Sequence, residues 1–107
     1  MIDLDQKYIY VINQDLEMTK GKIAAQVSHV AMQLGFECSG DFRVPIIGRA
    51  IVLKAPELLM RYIKDKVNPC FFIEDAGLTE VPSGSLTCIG FKETEETKLV
   101  SKGLKLL

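Results

Sequence analysis

Two short stretches hold the residue types from which a reaction could be built. The first is "MTKGKIAAQVSHVAM", residues 18 to 32, and the second is "EDAGLTEVPSGSLT", residues 74 to 87. In the first, Lys20 and Lys22 flank Gly21, and Gln26 and the chain's single histidine, His29, follow. At about 100° per residue on a helix, Gln26, His29 and Gln33 fall within roughly 40° of Lys22, forming one narrow polar stripe. In the second stretch Asp75 ends an apolar run and Thr79 lies four residues on. A lysine and an aspartate brought face to face suit electrophilic stabilisation combined with water positioning or general-base work, and Thr79 adds a hydroxyl. Each feature also has a plain structural explanation. The stripe can be a helix edge facing water, Asp75 can be a turn cap before Gly77, and the two lysines can point into solvent.

The elements that would carry these residues are legible from pattern. "YIYVI" at 8 to 12 is β-branched and aromatic, too short for a helix, and reads as a buried strand. A helix follows from Lys20 or Lys22 to about Glu37, with Thr19 as N-cap and "CSGD" as its stop. Ile23, Val27, Val30 and Leu34 give it an apolar face beside a ridge of Ala24, Ser28, Ala31 and Gly35, so most of this helix is expected to be buried. Residues 48 to 55 read as a second strand. Pro56 suits the first turn of a second helix, whose apolar stripe is Leu58, Leu59, Tyr62, Ile63 and Val67 and which Asn68-Pro69 stops. "CFFIED" and "SLTCIGF" are strands three and four, and a short helix runs between Thr94 and Gly103. Helical crossovers imply parallel strands one to three, and the helix-free loop at 76 to 84 makes strand four antiparallel to strand three. The expected architecture is a three-layer α/β/α domain over residues 1–107 with a mixed four-stranded sheet. In such sheets ligands sit beyond the carboxyl ends of parallel strands, where Asp75 and the start of the first helix converge. A helix start also favours anions, which bears on Lys20 and Lys22.

Composition bounds the function. The chain has 107 residues, 48 % apolar and 25 % charged, which suits one globular domain. No apolar run approaches the roughly 18 residues of a membrane span, and "MIDLDQKY" is too acidic and polar for a signal peptide. Cys38, Cys70 and Cys88 are widely spaced and form no CxxC, which argues against a disulfide framework or zinc site and for a reducing cytoplasm. Cys70 and Cys88 read as small buried strand residues. A net charge of −1 excludes binding of nucleic acid through a diffuse basic surface, so any such role rests on a local cluster. No GxSxG elbow, HExxH, Walker loop or GxGxxG is present.

Taken together, "MTKGKIAAQVSHVAM", "EDAGLTEVPSGSLTCIGF" and the tail "VSKGLKLL" resemble, in order, the opening helix motif, the Asp-Ala-Gly-x-Thr loop and the Gly-x-Leu-Lys-Leu-Leu ending of the type-2 peptidyl-tRNA hydrolases. The resemblance spans nearly the whole chain. It implies hydrolysis of the ester between a peptide and the 3′ ribose of tRNA, the three-layer fold, no metal or cofactor, and homodimers. By motif match Lys22, Gln26, Asp75 and Thr79 fall on catalytic positions, and Lys20, His29 and Thr87 on positions near substrate. The chain departs from the family pattern at Glu17, where many members have lysine, and at 38 to 47, which lacks a tryptophan often found nearby. A non-catalytic binding module or a small-molecule esterase or amidase on the same fold is the alternative; a pure scaffold has no need of the complete Lys22, Gln26, Asp75 and Thr79 set.

Overall fold

Side chains along the first strand alternate between two apolar surfaces, which is why the sheet is covered on both faces. In β1 (Ile2–Asn13), Ile9 and Val11 enter one core and Tyr10 and Ile12 the other. The computed structural model describes residues 2–41, 47–77 and 81–107. After β1 come α1 (Lys20–Ser39), β2 (Ile47–Ala55), α2 (Glu57–Lys66), β3 (Phe71–Glu74), β4 (Leu86–Lys92), α3 (Glu95–Ser101) and β5 (Lys105–Leu106). Val30 and Leu34 of α1 fill the core with Tyr10, Ile12 and Cys88, whereas Met60 and Ile63 of α2 fill the opposite one with Ile9, Val11, Ile89 and Phe91. Val100 of α3 joins the α2 side.

The sheet order is β3-β4-β1-β2-β5. β1 pairs with β2 in parallel and with β4 antiparallel, and β3 pairs antiparallel with β4. The connection from β1 steps one way along the sheet and that from β2 steps the other, so right-handed crossovers put α1 and α2 on opposite faces. The α/β class holds, with two corrections. The sheet has five strands rather than four: the tail adds β5 against β2, Leu53 opposite Leu106. β3 points the same way as β1 and β2, but β4 is inserted between it and β1, so one parallel pair forms instead of a block of three. The antiparallel pairing of strands three and four is as expected.

The helices also correct the reading. α1 is capped at Thr19, whose hydroxyl accepts from the Lys22 amide, and ends at Gly40 in the left-handed region (φ 74°). Only Gln26, Val30 and Leu34 of it are buried, and Ala24, Ser28 and Met32 are exposed. Small residues make a helix look fit for burial without requiring it. In α2 the core side is Met60 and Ile63, continued by Val67, while Leu58, Leu59 and Tyr62 face outward. Among the described residues no helix is long and apolar enough to cross a membrane.

Candidate functional site

Asp75 follows directly on β3, and Lys22 sits in the first turn of α1, beyond the carboxyl end of β1. They meet: Lys22 Nζ lies 2.6 Å from Asp75 Oδ2, with both side chains largely withdrawn from solvent (13 % and 6 % exposed). Gln26, one turn further along α1 and itself buried, brings Nε2 to 3.5 Å from the same oxygen. The other oxygen, Oδ1, accepts from the Gly77 amide at 2.7 Å. Gly77 has φ +81°, and a Cβ there would stand 2.8 Å from Ser83 Cβ, so glycine is required where the loop doubles back. The loop is anchored through the backbone of Asp75, whose N–H donates to Ser85 and whose carbonyl accepts from Gly84.

A bulge aims this carboxylate. Ile73 pairs with Cys88 and Glu74 with Leu86, which leaves Thr87 as the extra residue of β4. Thr87 is fully buried and its hydroxyl donates to the Ile73 carbonyl at 3.3 Å. Of the other residues expected at the site, His29 is exposed on α1 and Lys20 is exposed at its first residue, about 200° around the helix from Lys22. Thr79 lies outside the described residues. Four of the seven expected residues are therefore distributed as one seam: Lys22, Gln26 and Asp75 in contact, with Thr87 behind them.

A second set of polar groups on the α2 side was not expected. Asn13, buried at the end of β1, donates Nδ2 to Glu57 Oε1 (2.9 Å) and to the Leu86 carbonyl (2.8 Å), and its Oδ1 accepts from the Asp15 amide. Asp15 in turn accepts from the first amide of α2, at Glu57. Arg61 reaches Glu57 at 3.1 Å, Glu74 at 3.6 Å and the Gly84 carbonyl at 3.2 Å. Arg61 thus grips both ends of the 75–83 loop, while Lys22 holds it from the α1 side. The available signal was an asparagine ending a strand and an arginine one turn after Glu57, which is weak without the loop in place.

A buried carboxylate fixed by an ammonium, an amide and a backbone N–H can order a water molecule and present a cation to a developing oxyanion. A family model described as Peptidyl-tRNA hydrolase PTH2 matches residues 6–107. The chain is 37 % identical over 110 residues to a peptidyl-tRNA hydrolase of Methanococcus maripaludis, covering 91 % of this chain and 95 % of that one. It is 33 % identical over 116 residues to one from Staphylothermus marinus (96 % of each chain), and 36 % identical over 118 residues to one from Sulfurisphaera tokodaii (94 % and 98 %). With a family match over residues 6–107 and identities above 30 % across most of the chain, the chain belongs to the peptidyl-tRNA hydrolase PTH2 family.

Proposed function

We propose that this protein hydrolyses the ester bond of peptidyl-tRNA, releasing peptide and free tRNA. The observation that carries the reading is the 2.6 Å contact of Lys22 with Asp75 at the carboxyl edge of the sheet. An ammonium has three N–H donors. One is committed to Asp75, and another is offered to the ester carbonyl oxygen, where negative charge develops as water adds to the carbon. Asp75 accepts a hydrogen bond from that water and takes its proton. The bond from the carbonyl carbon to the ribose 3′ oxygen then breaks, and the oxygen leaves with a proton. Gln26 and Thr79 hold the water or the ester by hydrogen bonds. Thr87 positions the loop through Ile73, His29 supports the bound substrate, and exposed Lys20 takes a phosphate of the acceptor end. We extend the reading to the chain as a whole: one domain over residues 1–107, acting in the cytoplasm as a homodimer.

The test is release of tRNA from an N-acetylaminoacyl-tRNA by Asp75→Asn and Lys22→Gln, the latter keeping a donor for the buried carboxylate. Loss of one transition-state donor lowers kcat by roughly 10²–10³-fold. Circular dichroism like that of the parent would establish that the fold persists. Full activity in both variants would overturn the reading.

A further inference from the structure

The polar stripe of α1 continues past the ion pair. His29 and Gln33, in phase with Lys22 and Gln26, line a groove of about 530 Å³ between α1 and β3, with Phe71 and Ile73 contributed by the strand. Met32 and Phe36 add apolar surface from the helix, and both are exposed (63 % and 41 %). Ile73 is two residues before Asp75 and shares its side of the strand, so the groove leads away from the ion pair. β3 is an edge strand. The Ile73 carbonyl and the Asp75 N–H both point to β4, so strand alternation turns the N–H and C=O of Phe72 toward the open edge.

We propose that this groove holds the peptide arm of the substrate, extended along β3, with its ester at Lys22 and Asp75; the inference rests on the hydrolase reading. A peptidyl ester has two arms, and one carries phosphates. Among the described residues the groove lining contains Glu37 and no lysine or arginine, which favours the peptide over the phosphate arm. An extended peptide also needs partners for its own amides, and His29, Gln33 and the edge of β3 supply them, while apolar side chains cover Phe71 and Ile73. Glu37 stands eleven residues beyond Gln26, about 16 Å along the helix axis, which is the length of about five extended residues. A free amino terminus at that distance meets the Glu37 carboxylate.

The experiment compares two substrates on one tRNA, N-acetylglycine and an apolar pentapeptide, with the full chain and with Met32→Glu, a surface change outside the catalytic seam. The pentapeptidyl ester is expected to be the better substrate. Met32→Glu is expected to lower its kcat/KM about tenfold and to leave the glycyl ester within about twofold. A second arm uses Glu37→Gln, which is expected to slow the pentapeptide with a free amino terminus more than its acetylated form. Equal effects of Met32→Glu on both substrates, or none on either, overturn the proposal. So does a change in sedimentation with turnover of both substrates unaltered, which would assign the groove to a second copy of the chain. If the parent protein cleaves neither ester, the hydrolase reading falls and the groove's occupant with it. If it cleaves both and Met32→Glu is silent, the groove proposal alone fails.

Discussion

Asp75 is held from the α1 side by Lys22 and Gln26, and its loop is gripped from the α2 side by Arg61. The two supports differ in kind. Lys22 is withdrawn from solvent and bonds the carboxylate directly. Arg61 is more than a third exposed and acts only on the loop's ends, at Glu74 and Gly84. Its contribution to global stability is therefore small, because exposed ion pairs are worth little, but two of its partners, Glu74 and Gly84, define where the loop begins and returns. Arg61→Ala is expected to lower kcat about fivefold to tenfold, as a positional effect, with KM and the unfolding midpoint little changed. Arg61→Lys, which keeps charge but not the fork that spans Glu57, Glu74 and Gly84, should recover only part. Steady-state kinetics beside urea unfolding checks this; equal loss of kcat and stability would mark Arg61 as merely structural. The Lys22–Asp75 pair was legible in sequence because both residues fall at the carboxyl edge of the sheet, a position fixed by topology. The Arg61 grip was not, because it joins a helix face to two loop positions that nothing local brings together.

At the scale of elements, α1 can place Lys22 only by lying close on β4. Gly90 is where it does so: a Cβ there would collide with Val30 Cγ1 and stand 3.0 Å from Tyr10 Cδ1. Gly90→Ala is expected to cost about 1–3 kcal/mol of stability through overpacking and to lower activity by lifting the helix that carries Lys22. Urea unfolding and turnover would report the two effects, and an unaltered midpoint would refute the close approach. Strands β1 to β4 and the helix ends were readable because apolar runs, Thr19, Thr94 and Gly40 are local signals, whereas the two-residue β5 carries none. Helix faces were less so. α2 is apolar on two sides, Met60 and Ile63 on one and Leu58 and Tyr62 on the other, and periodicity alone does not say which meets the sheet. The slot taken by β4 was equally hidden, since an antiparallel strand returning from β3 satisfies the same local pattern on either side of it. α1 looked buried because it is poor in charge, yet its alanines and serine need no burial.

The molecule as a whole is a sheet with two cores, and both enclose ionisable groups. Tyr10 and Cys88 lie in the core under α1, and Cys70 packs against the one under α2. Burial pushes the Cys88 thiol up to about 12 and the Cys70 thiol up to about 11 from an ordinary 9.0, and the Tyr10 hydroxyl up to about 12 from 10.0. Each is kept neutral in the folded chain at a pH where the unfolded chain ionises it. Below pH 9 their contribution to stability is fully present. As pH rises from about 9 toward 12, the unfolded state loses these protons first, so stability declines. The slope per group approaches about 1.4 kcal/mol per pH unit between its unfolded and folded values. Cys88→Ala removes one of the three titrating groups at the cost of a small cavity. It is expected to be less stable than the parent at pH 8 and to lose less stability between pH 9 and 11, so that the two unfolding curves converge. Urea denaturation at pH 8, 9, 10 and 11 measures both slopes. Parallel slopes would mean that the thiol is not held neutral by the core, and that the α1 face is more open to water than its packing against Gly90 requires.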